Sequence, residues 1–481
     1  MWSCSQVSIR ISAGNRSAQI SLMEEFVFSL FSSPSTLLGA VVLLLLLCVV
    51  SRSFTSQTTV KEPPGPRPLP LLCNLVQLDI KRSYKTLCEV SRALHAQICQ
   101  ICNVVEGIRG SQGGYYFICV SMFNAHLETN YNLSKDKMAE KLGKCDLVII
   151  TTCCSYVTGK PFDTTSPINY VTSNIISAIV YGSRFEYSDP RFKNMVRRAT
   201  ETLRITGTAQ IQLYNRSSFP RKFSWIKNRQ LIIKNVETNV RDVKDLVKSL
   251  KETLNPQACR GFVDAFLIRE QKEQDSDVVG VHYNEKNLIF SVAILFSAGT
   301  DTTAATLGWS LLFMEELDRV VGSRRVRIDD RKNLPYTDGV IHETQRLANI
   351  APLANPHKTK RDVTFQGYFT KEGTTVFPLL TSVLYDESER ESPHTINPSH
   401  FLGKDGKFIR TNAFMPFSAD RRSFLGERLA KMELFLFFTS LLQRFPFTPP
   451  PGVTEDELQL SAAMGFTLSP SPHQLCAVSH Q

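Results

Sequence analysis

The segment Asn287–Met314, NLIFSVAILFSAGTDTTAATLGWSLLFM, is apolar almost from end to end, and it narrows what this chain can fold into. Its unbroken apolar part is too short to cross a bilayer and is cut by Asp301, so a long helix buried within a larger body is expected, not a transmembrane span. Within it, Ala298-Gly299-Thr300-Asp301-Thr302-Thr303 sets small residues, hydroxyls and one acid side by side. Small residues let a ligand approach the backbone, a hydroxyl can bend the helix by bonding a carbonyl, and an adjacent acid can relay protons. The plainer reading is a Gly- and Thr-rich bend with no chemistry.

A chain of 481 residues with 42% hydrophobic content has enough material for a packed core around such a helix. The net charge of +10 leaves nucleic acid, an anionic membrane surface and an acidic protein partner open. No Cys-His zinc array or recognition-helix motif is present and the basic residues are scattered, which argues against nucleic acid. The 12 cysteines show no even framework spacing, and none lies between Cys259 and Cys476. Free thiols in a reducing compartment are expected. Cys99-x-x-Cys102 would be half a zinc site, but no second pair stands at zinc-finger spacing, so ordinary thiols are the reading.

Near the N-terminus, Phe26–Val50 contains no charged residue and is long enough to cross a bilayer as a helix. Glu24 and Glu25 precede it, while Arg52, Lys61 and Arg67 follow, an asymmetry that puts the main body in the cytosol. The rival is a cleaved secretory signal, with Arg10 and Arg16 as its positive end; no small-x-small site closes the run. The expected division is a leader over 1–22, an anchor over 23–52 and a proline-rich hinge over 53–70. In the hinge, Pro63–Pro70 (PPGPRPLP) holds the backbone extended as a stiff spacer, with an SH3-type ligand as the competing idea. Asn15, Asn132 and Asn215 each open an N-x-Ser sequon, but a cytosolic body leaves the last two unmodified.

Towards the other end, Phe414–Phe438 reads FMPFSADRRSFLGERLAKMELFLFF: a short irregular loop, then a helical run with Leu425, Leu429, Met432 and Leu436 at helical spacing. This stretch resembles the haem-binding loop and following helix of the cytochromes P450, with Phe417, Arg422 and Gly426 matching in register. The family's axial thiolate, which pushes electron density onto the iron, falls at Phe424 here, and its loop glycine at Asp420. A benzyl ring has no lone pair to give a metal.

Other segments carry the same resemblance in order. Ser83–Ala93 is similar to a first helix of the microsomal enzymes. Gly159–Phe192 is similar to the helix pair flanking the haem pocket in the second family of vertebrate microsomal enzymes, with Ile168, Val171, Ile175, Ile176 and Ile179 on one helical face. Ala298–Thr303 resembles the oxygen-activation motif. Glu343-x-x-Arg346, by itself an ordinary surface ion pair, becomes under the resemblance a buried pair tied to Asn397–Phe401, with His400 where the family has Arg. His357 resembles a propionate donor, and Thr364–Leu384 reads as short strands with a Gly turn. Three departures accompany these matches: positions 95–157 match nothing in the family, including its Trp-x-x-x-Arg propionate clamp; a helix is missing after Met314; and Phe424 stands at the ligand position. Arg221–Lys251 reads as a basic helix, solvated or lying on a membrane surface.

The resemblance implies a mainly α (α+β) cytochrome P450 fold, a helix-rich body with small β-sheets over 71–481 behind one N-terminal transmembrane helix. It implies a haem-dependent monooxygenase of the microsomal family 2 type, taking electrons from NADPH–cytochrome reductase, with cytochrome b5 as a second donor, and oxidising apolar substrates such as xenobiotics, fatty acids including arachidonic acid, or steroids. Asp301 and Thr302 would be catalytic. Arg422, His357, Phe417, Gly426, Ala298 and Phe424 would border the haem, and Glu343 and Arg346 would be structural. Arg421, Arg422, Arg428 and Lys431 would form a basic face for an acidic electron donor. Membrane lipid would be the other partner, at the endoplasmic reticulum. Phe424 makes impaired chemistry the expectation, with an inactive membrane-anchored relative or a defective translation product as the alternative.

Overall fold

The computed structural model describes residues 39, 63–65, 79, 82–93, 160–216, 226–274, 283–312, 328–419, 423–424, 426–443, 445, 447–453, 462–463 and 465–477. In chain order these form α1 (Ser83–Ala93), β1 (Phe162–Asp163), α2 (Thr165–Val180), α3 (Pro190–Thr206), α4 (Ala209–Arg216), α5 (Lys227–Glu252), α6 (Phe262–Gln274) and α7 (Glu285–Leu312). Then come α8 (Pro335–Ala348), β2 (His357–Lys358), β3 (Val363–Phe365), β4 (Tyr368–Thr370), β5 (Thr375–Val376), α9 (Leu380–Leu384), α10 (Glu427–Leu442), β6 (Phe447–Thr448), β7 (Ala462–Ala463), β8 (Ser469–Pro470) and β9 (Gln474–Ala477). Most of the proposed anchor and of the hinge, the 95–157 interval, the junction after Met314 and the loop residues Asp420, Arg421 and Arg422 lie outside the described residues.

Helix α7 is the axis of the body. By length and composition it could cross a membrane, but α2, α3, α5, α8 and α10 all pack against it. Its polar residues can be buried because their hydroxyls bond backbone: Ser291 donates to Asn287 O at 2.6 Å, Thr300 to Phe296 O at 2.7 Å and Ser310 to Thr306 O at 2.9 Å. The same device lets α2 bury twelve of its sixteen residues, more than the one face expected from its isoleucines. Thr172 donates to Ile168 O at 3.0 Å and Ser173 to Asn169 O at 2.7 Å, and both reach Thr300 on α7. Gly299 permits this approach, because a Cβ there would stand 2.5 Å from Ile176 Cδ1.

Helix α3 begins as its sequence dictates, with Pro190 in the first turn and Asp189 accepting from Arg191 N at 2.7 Å. Against α5 it is fixed by Arg198, which donates to Asn239 Oδ1 at 2.7 Å and pairs with Asp242. Helix α5 is amphipathic, burying Asn235, Asn239, Val243 and Val247.

The sheets are small and antiparallel: β1–β9–β6, with Phe162 opposite Leu475 and Phe447 opposite Ala477, and the pairs β2–β5, β3–β4 and β7–β8. Gln366 and Gly367, both at positive φ, close the β3–β4 hairpin between Phe365 and Tyr368. The expected run of strands over Thr364–Leu384 stops short. Its last five residues form α9, which buries Leu380 and Leu384 against the body and packs on α1, so apolar burial outweighs β-propensity there.

Candidate functional site

On α7, Thr302 donates its hydroxyl to Ala298 O at 2.8 Å, a back-bond of the kind that bends helices. Ala298 is exposed and Thr302 half-buried, as are Ser297 and Gly299 beside them. Asp301, on the next position round, is buried, and its Oδ2 accepts from the Thr467 hydroxyl. Burial raises the Asp301 carboxyl above the usual aspartate range, and the Thr467 bond offsets this in part.

A second acid meets the same turn from α10. Glu433 is 1% exposed and hydrogen-bonded to Thr303, while its Oε1 has no partner among the described residues. Desolvation pushes its carboxyl up to about 8, so Glu433 is largely a neutral acid at pH 7. One turn of α7 is therefore bonded on both sides, its Asp301 to the Thr467 hydroxyl and its Thr303 to the Glu433 carboxyl.

The loop ahead of α10 is closed by Phe424 N, which donates to Phe417 O at 2.7 Å. Gly426 then takes φ 85°, a left-handed conformation, at the N-cap, and its carbonyl accepts from Ala430 N at 2.9 Å. Phe424 and Phe417 are both half-buried. Lys431 lies 5.7 Å over the Phe417 ring and is paired with Glu427. This corrects the expected basic face: with only 14% of its side chain exposed, Lys431 is spent on Glu427 and Phe417, whereas Arg428 is exposed. Burial also pulls the Lys431 ammonium below the usual lysine range.

Glu343 and Arg346 form a fork inside α8, with Nε to Oε2 at 2.8 Å and Nη2 to Oε1 at 2.7 Å, both side chains 0% exposed. The guanidinium also donates to Leu384 O, Pro393 O and Thr395 O. Glu343 Oε1 in turn accepts from Asn397 N at 2.9 Å and faces His400 Nδ1 at 3.2 Å. The structure thus brings Glu343, Arg346 and the Asn397–Phe401 segment together. His357 opens β2 opposite Val376, on a separate element.

The central helix with its Thr-bonded acid, the Glu-x-x-Arg helix tied to a short turn, and the loop feeding a buried helix follow one another as in the helical haem monooxygenases. Comparison with known proteins agrees. The family model for Cytochrome P450 matches residues 154–477. The chain is 50% identical over 507 aligned residues to Cytochrome P450 2K1 of Oncorhynchus mykiss, covering 96% of this chain and all of that one. It is 49% identical to Cytochrome P450 2K4 of the same fish over 93% of this chain and 98% of that one, and 33% identical to human Cytochrome P450 2W1 over 86% and 93%. This chain belongs to the cytochrome P450 family.

The family's cofactor is haem iron, whose axial thiolate supplies the electron push for oxygen chemistry. The donor set in this chain does not fit that ligation. The position that the motif resemblance assigns to the ligand holds Phe424, whose backbone N–H donates to Phe417 O, and no cysteine lies between Cys259 and Cys476.

Two participants escaped the sequence reading. Thr467 reaches Asp301 across 166 positions, a pairing no local pattern announces. Glu433 carried a signal, a single acid inside the apolar run MELFLFF, which marks either a surface residue or a buried carboxyl with a purpose.

Proposed function

We propose that this chain keeps the body of a haem-dependent monooxygenase of the microsomal family 2 type and that its oxygen chemistry is impaired at Phe424. The relatives named Cytochrome P450 2K1 and 2K4 support the type. On that reading the substrates are apolar organic molecules such as xenobiotics, fatty acids or steroids, and the electrons come from NADPH–cytochrome reductase, with cytochrome b5 as a second donor. The chain would sit on the endoplasmic reticulum membrane by a single-pass anchor over 23–52, with the body in the cytosol. Asp301 and Thr302 would handle protons, and His357, with Arg422, Phe417, Gly426 and Ala298, would border the cofactor.

The observation that carries the impairment is the residue at the ligand position: the Phe417–Phe424 bond keeps the loop closed, while the side chain it presents cannot donate to iron. That residue also favours the second reading, a catalytically silent membrane-anchored relative or a defective translation product. A reduced carbon-monoxide difference spectrum of the purified chain separates the cases. No thiolate-type Soret band is expected from the chain as it stands, and Phe424→Cys is expected to produce one. A thiolate band from the unaltered chain overturns the impairment. Failure of Phe424→Cys to produce it favours the silent reading.

A further inference from the structure

Asp301 is 7% exposed and Thr467 is 6% exposed, so their hydrogen bond is sealed from water. The segment that delivers Thr467 is fixed on both sides. Phe466 N donates to Leu203 O in α3 at 3.1 Å, Leu468 N donates to Ile350 O at 2.8 Å, and Leu468 O accepts from Trp309 Nε1 on α7 at 2.9 Å. At its start Gly465 lies against Gly207, the residue that ends α3, so closely that a Cβ on Gly207 would stand 2.0 Å from the Gly465 carbonyl carbon. Residues 465–468 therefore form a strap from the end of α3 to the acid on α7.

We propose that Thr467 is the positioning residue of Asp301, and that the strap makes the setting of this carboxyl depend on where α3 ends. Oδ2 is engaged as an acceptor, so an acid proton resides on Oδ1, and the threonine decides which oxygen can exchange it. Any use of this in catalysis rests on the monooxygenase reading. The contact itself needs no cofactor.

The test follows the infrared carbonyl band of the buried acid against pH in the full chain. The band is assigned by its loss in Asp301→Asn, which separates it from Glu433, the other buried acid bonded to this turn, from α10. Deleting a hydrogen bond to a carboxylate raises its midpoint. Thr467→Val is therefore expected to move it up by about one pH unit, roughly tenfold in proton affinity, and Thr467→Ser to leave it in place. Gly207→Ala touches neither partner yet is expected to shift the midpoint in the same direction. Should that variant not fold, Gly465→Ala, whose Cβ would meet Thr467 O at 2.9 Å, reads the same coupling. An unmoved midpoint in Thr467→Val overturns the positioning role, and an unmoved midpoint in a folded glycine variant overturns the strap. Carbon-monoxide spectra on the same preparations keep the two proposals apart: a thiolate band there overturns the Phe424 reading and leaves these shifts standing.

Discussion

Arg346 Nε donates to Glu343 Oε2 at 2.8 Å with both side chains fully out of water, so neither charge can be removed alone without stranding the other. The guanidinium also satisfies three carbonyls, from Leu384, Pro393 and Thr395, which ties α8 to α9 and to the segment before Asn397. Arg346→Ala is therefore expected to destabilise the fold by about 3–5 kcal/mol. Arg346→Lys should recover only part of this, since an ammonium cannot reproduce the fork. Denaturant unfolding of the three chains measures it; a loss below about 1 kcal/mol in Arg346→Ala would show the pair to be solvated.

His400 stands beside this pair with Nδ1 3.2 Å from Glu343 Oε1 and Nε2 2.6 Å from Glu391 O. Both neighbours are acceptors, so the side chain has to bring donors. His400→Leu is expected to cost about 0.5–1.5 kcal/mol by removing one hydrogen bond from Glu343 Oε1, which keeps those from Arg346 and Asn397. His400→Arg should come closer to the unaltered chain than His400→Leu, and thermal melts of both variants decide it.

Glu433 gives stability a pH dependence of definite sign. Its folded-state carboxyl titrates at about 8 against 4.5 for an ordinary glutamate, because burial penalises the anion. The folded state then binds the extra proton between those values, so this group's contribution is complete below about 4.5 and is lost as pH rises through about 8. Glu433→Gln keeps a polar side chain beside Thr303 and cannot ionise. The melting temperature of the unaltered chain should fall relative to Glu433→Gln as pH rises from about 4.5 to about 8 and level off above that, where the folded-state carboxyl is ionised. Parallel profiles would mean that Glu433 titrates as if exposed.

What could be read beforehand follows from which forces are local. α1 spans Ser83–Ala93, where the resemblance placed a first helix, and the apolar run over 287–312 lies within α7 at Glu285–Leu312, because apolar content is written into neighbouring residues. Glu343 and Arg346 were legible for the same reason, three positions apart on one helix. Lys431 was misread because charge in a sequence looks like surface, while the Glu427 carboxylate and the Phe417 ring make a half-buried ammonium tolerable. Thr467 was illegible, because its partner depends on how the C-terminal strap crosses α7.

Gly426 separates backbone demand from space. It holds φ 85° where the loop after Phe424 turns into α10, and a Cβ built on it would meet nothing within 4 Å. A substitution there consequently pays only for the left-handed backbone, about 1–2 kcal/mol for alanine. Asparagine tolerates that region better, so Gly426→Asn should lose less than Gly426→Ala. Equal losses in denaturant unfolding would show that crowding, and not φ, fixes this residue. Because the turn also sets how Phe424 enters the helix, the same two substitutions in a Phe424→Cys background should rank identically in the size of any thiolate band regained.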